Sequence, residues 1–163
     1  MPFQTGVNNI LASGLPGEVS NVGPIFSKDW IVQNLINPNL NPIGYAYTKQ
    51  SGLSGIANPG GTGPFVGILG MPKDYALQGD TSGNLQPSYY LKDGESGTMF
   101  STAEMWIDLS TSGNVGDSLS YAGATGQIGT NVVDNVIFFA VPNGKIIERD
   151  VSVPGLAKIR ITY

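Results

Sequence analysis

The sequence predicts an all-β protein, with a compact β-sandwich or β-barrel body and an extended N-terminal arm. The chain has 23 glycines and 11 prolines among 163 residues, which favours many turns and few long helices. Short runs of strand-forming residues alternate with turn signals along most of the chain. A chain of this length can bury its own hydrophobic core as one domain. We therefore expect an arm over residues 1–16 and a single β body over residues 17–163.

The composition excludes several classes of function. The chain has no histidine and no cysteine, so imidazole bases, thiol nucleophiles, disulfides and the metal sites built from these residues are unavailable. Its eight basic residues are scattered singly and the net charge is −4, which does not suit a nucleic-acid partner. No apolar run or leader-like start predicts a membrane span or a secretion signal. We expect no catalytic residue, no metal and no cofactor.

The N-terminal arm is uncharged and dotted with apolar side chains that follow no strand period. Gly14 and Pro16 stop the short helical turn that could begin near its middle. Such a segment either packs on its own body or lies on a partner. Its candidate interface residues are Phe3, Val7, Ile10, Leu11 and Leu15.

Two dipeptides predict β-hairpins, because both positions of the favoured hairpin turns require positive φ. Asn143-Gly144 lies between an apolar run at residues 136–141 and a segment at residues 145–153. Asp93-Gly94 lies between residues 89–91 and a strand beginning near Thr98.

The last strand alternates cleanly, with Ala157, Ile159, Ile161 and Tyr163 on one face. Residues 98–109 fit either a strand or a helix with a capping box at residues 101–104. The period of two fits more of the segment, so we expect a strand. On that strand Trp106 lies on the more polar face, either as an interface anchor or as a covered, half-buried side chain.

Two motifs resemble catalytic or phosphate-binding sequences but lack a residue that the corresponding chemistry requires. Gly116-Asp117-Ser118-Leu119 matches the nucleophile block of GDSL esterases, but the chain has no histidine to serve as base, so we expect a turn leading into a strand. The Gly-rich stretch at residues 60–63 lacks the Gly-Lys-Ser/Thr ending of a phosphate loop, and we expect a surface loop with positive φ. Neither the loop at residues 58–64, which contains this stretch, nor the Asn/Pro-rich stretch at residues 37–42 is expected inside a sheet.

The remaining polar and aromatic groups leave two minor alternatives. The near pairs of carboxylates are expected to be surface groups, although acids on different strands could converge as in a hydrolase. Tyrosines could form a platform for sugar rings. These residues are Asp93/Glu95, Glu104/Asp108, Glu148/Asp150, Tyr45/Tyr47 and Tyr89/Tyr90.

The order of several segments resembles the structural cement proteins of tailed phages. Gly-Leu-Pro-Gly-Glu-Val at residues 14–19 resembles the element that opens those proteins, and Ile-Gly-Tyr-Ala-Tyr-Thr at residues 43–48 resembles one of their strands. The most specific match is GTGPFVGILGMPKDYA at residues 61–76. Val115-Gly116-Asp117 with Tyr121, and the segments at 141–145 and 156–159, follow in the family's order. The resemblance spans residues 14–163 and includes neither residues 1–13 nor the segment around Trp30.

The resemblance implies a capsid decoration protein without enzymatic activity. It would bind the major capsid protein on the outer face of the expanded head, bridge its subunits and stabilise the shell against DNA pressure. Assembly would take place in the host cytoplasm. By analogy with decoration proteins we expect a homotrimer, with a dimer as the alternative. The other function that suits the composition is a phage tail or baseplate β module, with or without glycan binding.

Overall fold

The computed structural model describes residues 14–20, 23–71, 90–130, 138–149 and 155–163. Within these ranges the chain forms twelve strands and no helix, which confirms the all-β prediction. The strands are β1 (Val19–Ser20), β2 (Phe26–Val32), β3 (Asn41–Pro42), β4 (Ala46–Lys49), β5 (Ile56–Pro59), β6 (Phe65–Leu69), β7 (Tyr90–Leu91), β8 (Ser96–Leu109), β9 (Ser118–Ala122), β10 (Ile128–Gly129), β11 (Phe138–Arg149) and β12 (Gly155–Thr162).

A first barrel of five strands closes on the N-terminal half of β8. The strands follow the order β8, β2, β5, β4, β6 and return to β8, where Ile68 and Leu69 pair with Phe100 and Met99. The β2–β5 pair is parallel and the other pairs are antiparallel. Val32, Tyr47, Leu69 and Met99 are fully buried and form the centre of one core cluster with Ile43, Ala57 and Leu91.

A second barrel shares the C-terminal half of β8. Its strands follow the order β8, β12, β11, β9 and β10. The ring closes just beyond β8, where the Ser110 N–H donates to the Ile128 carbonyl at 2.9 Å and the Thr130 N–H donates to the Thr111 hydroxyl at 2.8 Å. Its interior is filled by the larger core cluster, to which Ala46, Phe65 and Ile68 of the first barrel also belong.

The strand prediction for residues 98–109 is confirmed by β8, and its apolar face is buried as expected. Thr102 and Glu104, on the face expected to be polar, are buried as well. The reason is that β8 belongs to both barrels and is flanked by β2 and β1 along one edge and by β6 and β12 along the other. The prediction for β12 is also confirmed, since Ala157, Ile159 and Ile161 are fully buried.

The hairpin predicted at Asn143-Gly144 is wrong. Asn143 has the positive φ that the dipeptide favours, with a value of 45°, but β11 continues through it. The register to β9 jumps between Ala140 and Lys145, and the Asn143 side-chain amide donates to the Thr162 carbonyl at 2.9 Å. An Asn-Gly pair supplies the backbone freedom for a β-bulge as readily as for a turn. With this bulge, β11 pairs with both β9 and β12.

The hairpin predicted at Asp93-Gly94 is wrong in its pairing. The turn exists, with Gly94 at a φ of 86°, but β7 pairs with β3 and not with β8. The side-chain amide of Asn41 in β3 donates to the Leu91 carbonyl at 3.1 Å, which helps to hold β7 on β3. The residues of the predicted flanking strand before Tyr90 lie outside the described part of the chain.

Prolines enter strands at both stretches predicted to lie outside sheets. Pro42 is in the short β3, and Pro59 ends β5, where the paired register stops at Asn58. A proline at such a position removes no ladder hydrogen bond.

A close backbone junction joins the two barrels. The Gly60 N–H donates to the Ala46 carbonyl at 2.9 Å, the Gly61 N–H to the Gly123 carbonyl at 2.6 Å and the Ala46 N–H to the Gly126 carbonyl at 2.8 Å. Gly60 has a φ of 66°, and a Cβ added there would lie 2.6 Å from the Gly123 carbonyl oxygen. The predicted positive φ is therefore present at Gly60, but this glycine is buried between the barrels and does not lie on a surface loop.

Candidate interaction surface

The segment between β2 and β3, residues 33–40, presents apolar side chains to solvent; we call it the apolar loop. Leu35 is 60% exposed, Ile36 is 64% exposed and Leu40 is 48% exposed. The stretch of residues 33–43 contains no ionisable side chain. Exposed leucine and isoleucine grouped on one loop are typical of a surface that a partner covers.

Polar side chains beneath the apolar loop fix its conformation. The Asn34 carboxamide oxygen accepts hydrogen bonds from the N–H groups of Ile36 at 3.0 Å and Asn37 at 2.9 Å. Its amide nitrogen donates to the Leu40 carbonyl at 2.6 Å. One buried side chain therefore ties both ends of the loop together. The loop is ordered before any partner arrives, which lowers the entropic cost of binding.

Asp93 anchors this arrangement to the first barrel. One of its carboxylate oxygens accepts the Asn34 N–H at 2.9 Å and the Asn41 side-chain amide at 2.7 Å. Partial burial works to raise the pKa of Asp93, but the hydrogen bonds from Asn34, Asn41 and the Asn39 backbone outweigh it and hold the pKa below its ordinary value. The ionised carboxylate is thus the form that supports the loop.

Exposed apolar side chains continue from the apolar loop back along β2. Ile31 is 46% exposed, Phe26 is 65% exposed and Ile25, just before the strand, is 43% exposed. Together with the loop they form one stretch of chain from residue 25 to residue 40, which we call the β2–loop surface. We identify it as the candidate interaction surface. The sequence alone does not single out this surface, because whether an apolar side chain is exposed or buried depends on the fold.

A cleft of about 620 Å³ lies beside the apolar loop. It is lined by Leu35, by residues 48–52 of β4 and the following turn, and by Asn58 and residues 61–64. Among the described residues that line it, Lys49 is the only ionisable one. These lining residues offer hydroxyl, amide and apolar groups but no acid–base pair.

Glu104 was predicted to lie at the surface, and this prediction is wrong. Its carboxylate is buried in a cluster of charged side chains. One oxygen of its carboxylate accepts two hydrogen bonds from the Arg160 guanidinium, and its other oxygen lies 3.8 Å from the Lys158 ammonium. Glu148, which is exposed, lies 3.8 Å from the same ammonium. Register places Arg160 directly opposite Glu104 across the β12–β8 pair. The two glutamates converge on Lys158 and, together with Arg160, form a structural cluster of two acidic and two basic side chains.

Tyr47 does not belong to a sugar-binding platform with Tyr45. Its side chain is fully buried in the first barrel, where its hydroxyl donates to the Pro42 carbonyl at 3.2 Å. Burial raises the pKa of the Tyr47 phenol, and the nearby Asp93 and Tyr45 reinforce the shift. Tyr45 is half-buried against the same core cluster. Tyr90 is 42% exposed, and Tyr89 lies outside the described residues.

Trp106 lies half-buried beneath the chain's own segment at residues 14–18. The Gly17 N–H donates to the Trp106 carbonyl at 2.7 Å, and the Trp106 N–H donates to the Glu18 carbonyl at 2.8 Å. Gly14 lies directly against the indole, leaving no room for a side chain there. Leu15 in this segment is 48% exposed. The other arm candidates, Phe3, Val7, Ile10 and Leu11, lie outside the described residues.

The described residues hold no cluster of metal-ligating side chains and place the GDSL string at the start of a strand. No group of three or more acidic, histidine or cysteine side chains is placed to hold a metal ion within these ranges. Ser118, in the GDSL string, is the exposed first residue of β9 and follows a turn in which the Asp117 N–H donates to the Asn114 carbonyl at 3.0 Å. The predicted turn and strand at this motif are confirmed. No helix in the described part of the chain is long and apolar enough to cross a membrane.

The described residues form a double barrel whose distinctive exposed surface is the apolar loop. Comparison with known proteins gives the family. The family model described as "Structural cement protein (E217 gp24/Pam3 gp6)" matches residues 3–162. The chain belongs to this family of phage structural cement proteins. The match also takes in most of the arm, where the sequence alone showed no family pattern.

A solved structure has the same fold. One chain of the structure described as "The capsid of Myoviridae Phage XM1" superposes with a TM-score of 0.67 at 14% sequence identity, covering 99% of this chain and 98% of that one. A search of curated proteins finds no match to this chain. The protein is thus a phage capsid component with an all-β fold.

Proposed function

We propose that the protein binds the major capsid protein on the outer surface of the expanded head, bridges neighbouring subunits and stabilises the shell against internal DNA pressure. The observation that carries the proposal is the apolar loop, which presents Leu35 and Ile36 on a backbone already fixed by Asn34. Family membership supports association with capsid proteins. Burying Leu35 and Ile36 against a partner would favour binding. Because the loop is already held in one conformation, little of this free energy would be offset by the entropy lost on ordering it.

Stabilisation would follow from mass action. A ligand that binds the expanded shell and not its ruptured form stabilises the shell by its binding free energy, multiplied over many copies. If each copy touches two subunits, the second contact forms at high effective concentration. The low content of charged residues, 12%, supports attachment through neutral surfaces and offers no basic patch for DNA. Such a protein would join the head in the host cytoplasm and stay on its outer face.

The proposal is tested by removing the apolar side chains of the loop. The double variant Leu35→Ser/Ile36→Ser should fold normally but bind expanded heads about 100-fold more weakly, since two side chains worth about 1.5 kcal/mol each are lost from the interface. Val115→Ser is a matched control, because Val115 is 62% exposed in the turn before β9 of the second barrel. Co-sedimentation with purified heads measures both. Equal binding of all three proteins would contradict the proposal.

We further propose that the arm, residues 1–16, contributes a second capsid contact through Phe3, Val7, Ile10, Leu11 and Leu15. The exposed side chain of Leu15 supports this, because it places an apolar group where the arm joins the body. Trp106 would act indirectly, by fixing the segment from which the arm departs. Deletion of residues 2–13 should leave the melting temperature of the body unchanged and weaken binding to heads. A deletion variant that no longer folds would show that the segment is part of the core.

Self-association belongs to the same proposal. We propose a homotrimer placed where three capsid subunits meet, with a dimer at twofold positions as the competing arrangement. Light scattering of the free protein and the symmetry axis occupied in a head reconstruction distinguish them. The protein would act without catalysis, and a Ser118→Ala variant should retain full binding to heads.

A further inference from the structure

The cleft beside the apolar loop is large enough for a small ligand and has an exposed rim. Its volume of about 620 Å³ lies within the range of about 300–1,000 Å³ that is usual for ligand sites. Most of its lining comes from residues 48–52 and 58–64, which lie inside the continuously described range 23–71. Several lining residues are exposed to solvent, namely Lys49, Ser51, Thr62 and Pro64. Among the described lining residues, only Leu35 also belongs to the β2–loop surface.

The polar walls of the cleft are held in fixed positions. The Thr48 hydroxyl donates to the Gly60 carbonyl, and the Asn58 side-chain amide donates to the same carbonyl at 3.5 Å. Gly61 packs closely against both side chains, because a Cβ added there would lie 2.7 Å from the Thr48 hydroxyl oxygen and 2.8 Å from the Asn58 amide nitrogen. Groups that are already in place lose little conformational entropy when a ligand binds.

The side chain of Gln50, which lines the cleft, has an unused hydrogen-bond acceptor. Its Oε1 atom is buried, and no group in the described part of the chain donates to it. Buried side-chain acceptors are nearly always paired, so an unpaired one requires an explanation. The Gln50 backbone is fixed, since its N–H donates to the Ile56 carbonyl at 3.0 Å, whereas the terminal amide of a glutamine turns readily. A ligand hydroxyl in the cleft would donate to this oxygen once the amide turns towards it.

The chemistry of the lining favours a neutral ligand that is rich in hydroxyl groups. Hydroxyl and carboxamide side chains both donate and accept hydrogen bonds, as sugar hydroxyls do, and Leu35 and Pro64 offer apolar contacts to the C–H faces of a sugar ring. Among the described lining residues none is acidic, which disfavours a metal cation, and Lys49 is the only basic one, which disfavours a polyanion. A peptide bound as an added strand is disfavoured because main-chain donors of the wall are already used. The Lys49 N–H donates to the Pro64 carbonyl at 2.9 Å, and the Gln50 N–H is engaged as well.

We propose that this cleft binds neutral sugar residues of a glycan, an activity that goes beyond the proposed attachment to the capsid. Gln50 and Asn58 would hydrogen-bond to the sugar hydroxyls, and Leu35 would contact a C–H face of the ring. No aromatic ring is present among the described lining residues, so we expect a weak site with a dissociation constant of about 1–10 mM. On a head that carries many copies, weak sites act together, and decorated heads would adhere to a surface polysaccharide.

An NMR titration of the free protein with glucose, galactose, mannose and N-acetylglucosamine tests the proposal. At least one of these sugars should shift the backbone amide signals of residues 48–52 and 61–63 in a saturable manner and leave that of Val115 in place. The variant Ser51→Trp should bind that sugar at least about tenfold more weakly, because the indole occupies the cleft. Ser54→Trp is the matched control and should bind like the parent, since Ser54 is also exposed but is not one of the residues that line the cleft.

A second variant, Gln50→Leu, keeps the proposal testable if Ser51→Trp does not fold. It removes an oxygen that has no partner within the described residues, so the melting temperature should not fall, whereas the affinity for the sugar should drop at least about fivefold. The absence of saturable shifts with all four sugars, or parent-like affinity in either folded variant, overturns the proposal. Saturable shifts of the same signals with an uncharged Ser/Gly hexapeptide and with none of the sugars assign the cleft to a polypeptide and also overturn it. Each of these results is obtained without heads, so the proposed function is tested separately.

Discussion

Asp93 shows how a single residue can hold a binding surface in shape. Its carboxylate accepts hydrogen bonds from the Asn34 backbone and the Asn41 amide, and Asn34 in turn holds both ends of the apolar loop. Leu35 and Ile36 carry the proposed contact, but their position depends on these three polar residues. Here buried hydrogen bonds hold apolar side chains in exposed positions. This arrangement is expected of a surface that binds a partner.

The Asp93→Asn variant should reveal this role through its pH dependence. Because the pKa of Asp93 is lowered by folding, its ionised form stabilises the native state above the ordinary value of 3.8, and this contribution is lost as the pH falls through the lower native pKa. At pH 7 the variant should be less stable than the parent in urea unfolding. The difference should shrink as the pH falls below about 4. A difference that stays constant or grows with acidity would contradict this role.

Residue-level predictions from sequence succeeded where one local pattern decided the outcome. The alternation in β12 and the turn before Ser118 needed only neighbouring residues, and both are confirmed. Glu104 was predicted to lie at the surface. Its partners Arg160 and Lys158 are distant in sequence and contact it across a strand pair, so no local pattern could reveal them. The apolar loop was missed for the same reason: Asn34 and Asp93 lie 59 positions apart.

Among the elements, β8 explains most about the fold. Its fourteen residues pair with β1, β2, β6 and β12, and both barrels are built on it. The alternation of apolar and polar residues in β8 could be recognised in the sequence. Its membership of both barrels could not. The failed hairpin at Asn143-Gly144 has a similar origin, because β11 needed a bulge to serve two neighbours. The sequence signals positive φ there without saying whether the chain reverses.

The junction between the barrels makes a testable element. Gly60→Ala combines an unfavourable φ of 66° with a clash against the Gly123 carbonyl, and we expect a loss of about 3 kcal/mol of unfolding free energy. Gly52→Ala is the control, because its φ of 77° is similar but no atom lies within 4 Å of the added Cβ. It should lose only about 1 kcal/mol. Equal losses in chemical denaturation would show that the junction is not tightly packed.

The whole protein should unfold as one unit, because a strand shared by two barrels couples their stabilities. The two tryptophans report on different places: Trp30 packs against the core of the first barrel, and Trp106 pairs with Lys158 of the second. The variants Trp30→Phe and Trp106→Phe each leave one reporter. In each variant, the fluorescence transition in urea should coincide with that of circular dichroism. Separate transitions within one variant would mean that the barrels unfold independently.

At the scale of the assembled head, a protein with few charges should attach through neutral surfaces that salt screens only weakly. The most direct measurement is the temperature at which heads release DNA, scored with a fluorescent dye. Heads carrying the protein at high occupancy should release DNA at a higher temperature than heads lacking it, and heads carrying Leu35→Ser/Ile36→Ser at the same input should resemble the bare ones. Equal release temperatures for fully decorated and bare heads would show that the protein decorates the shell without cementing it.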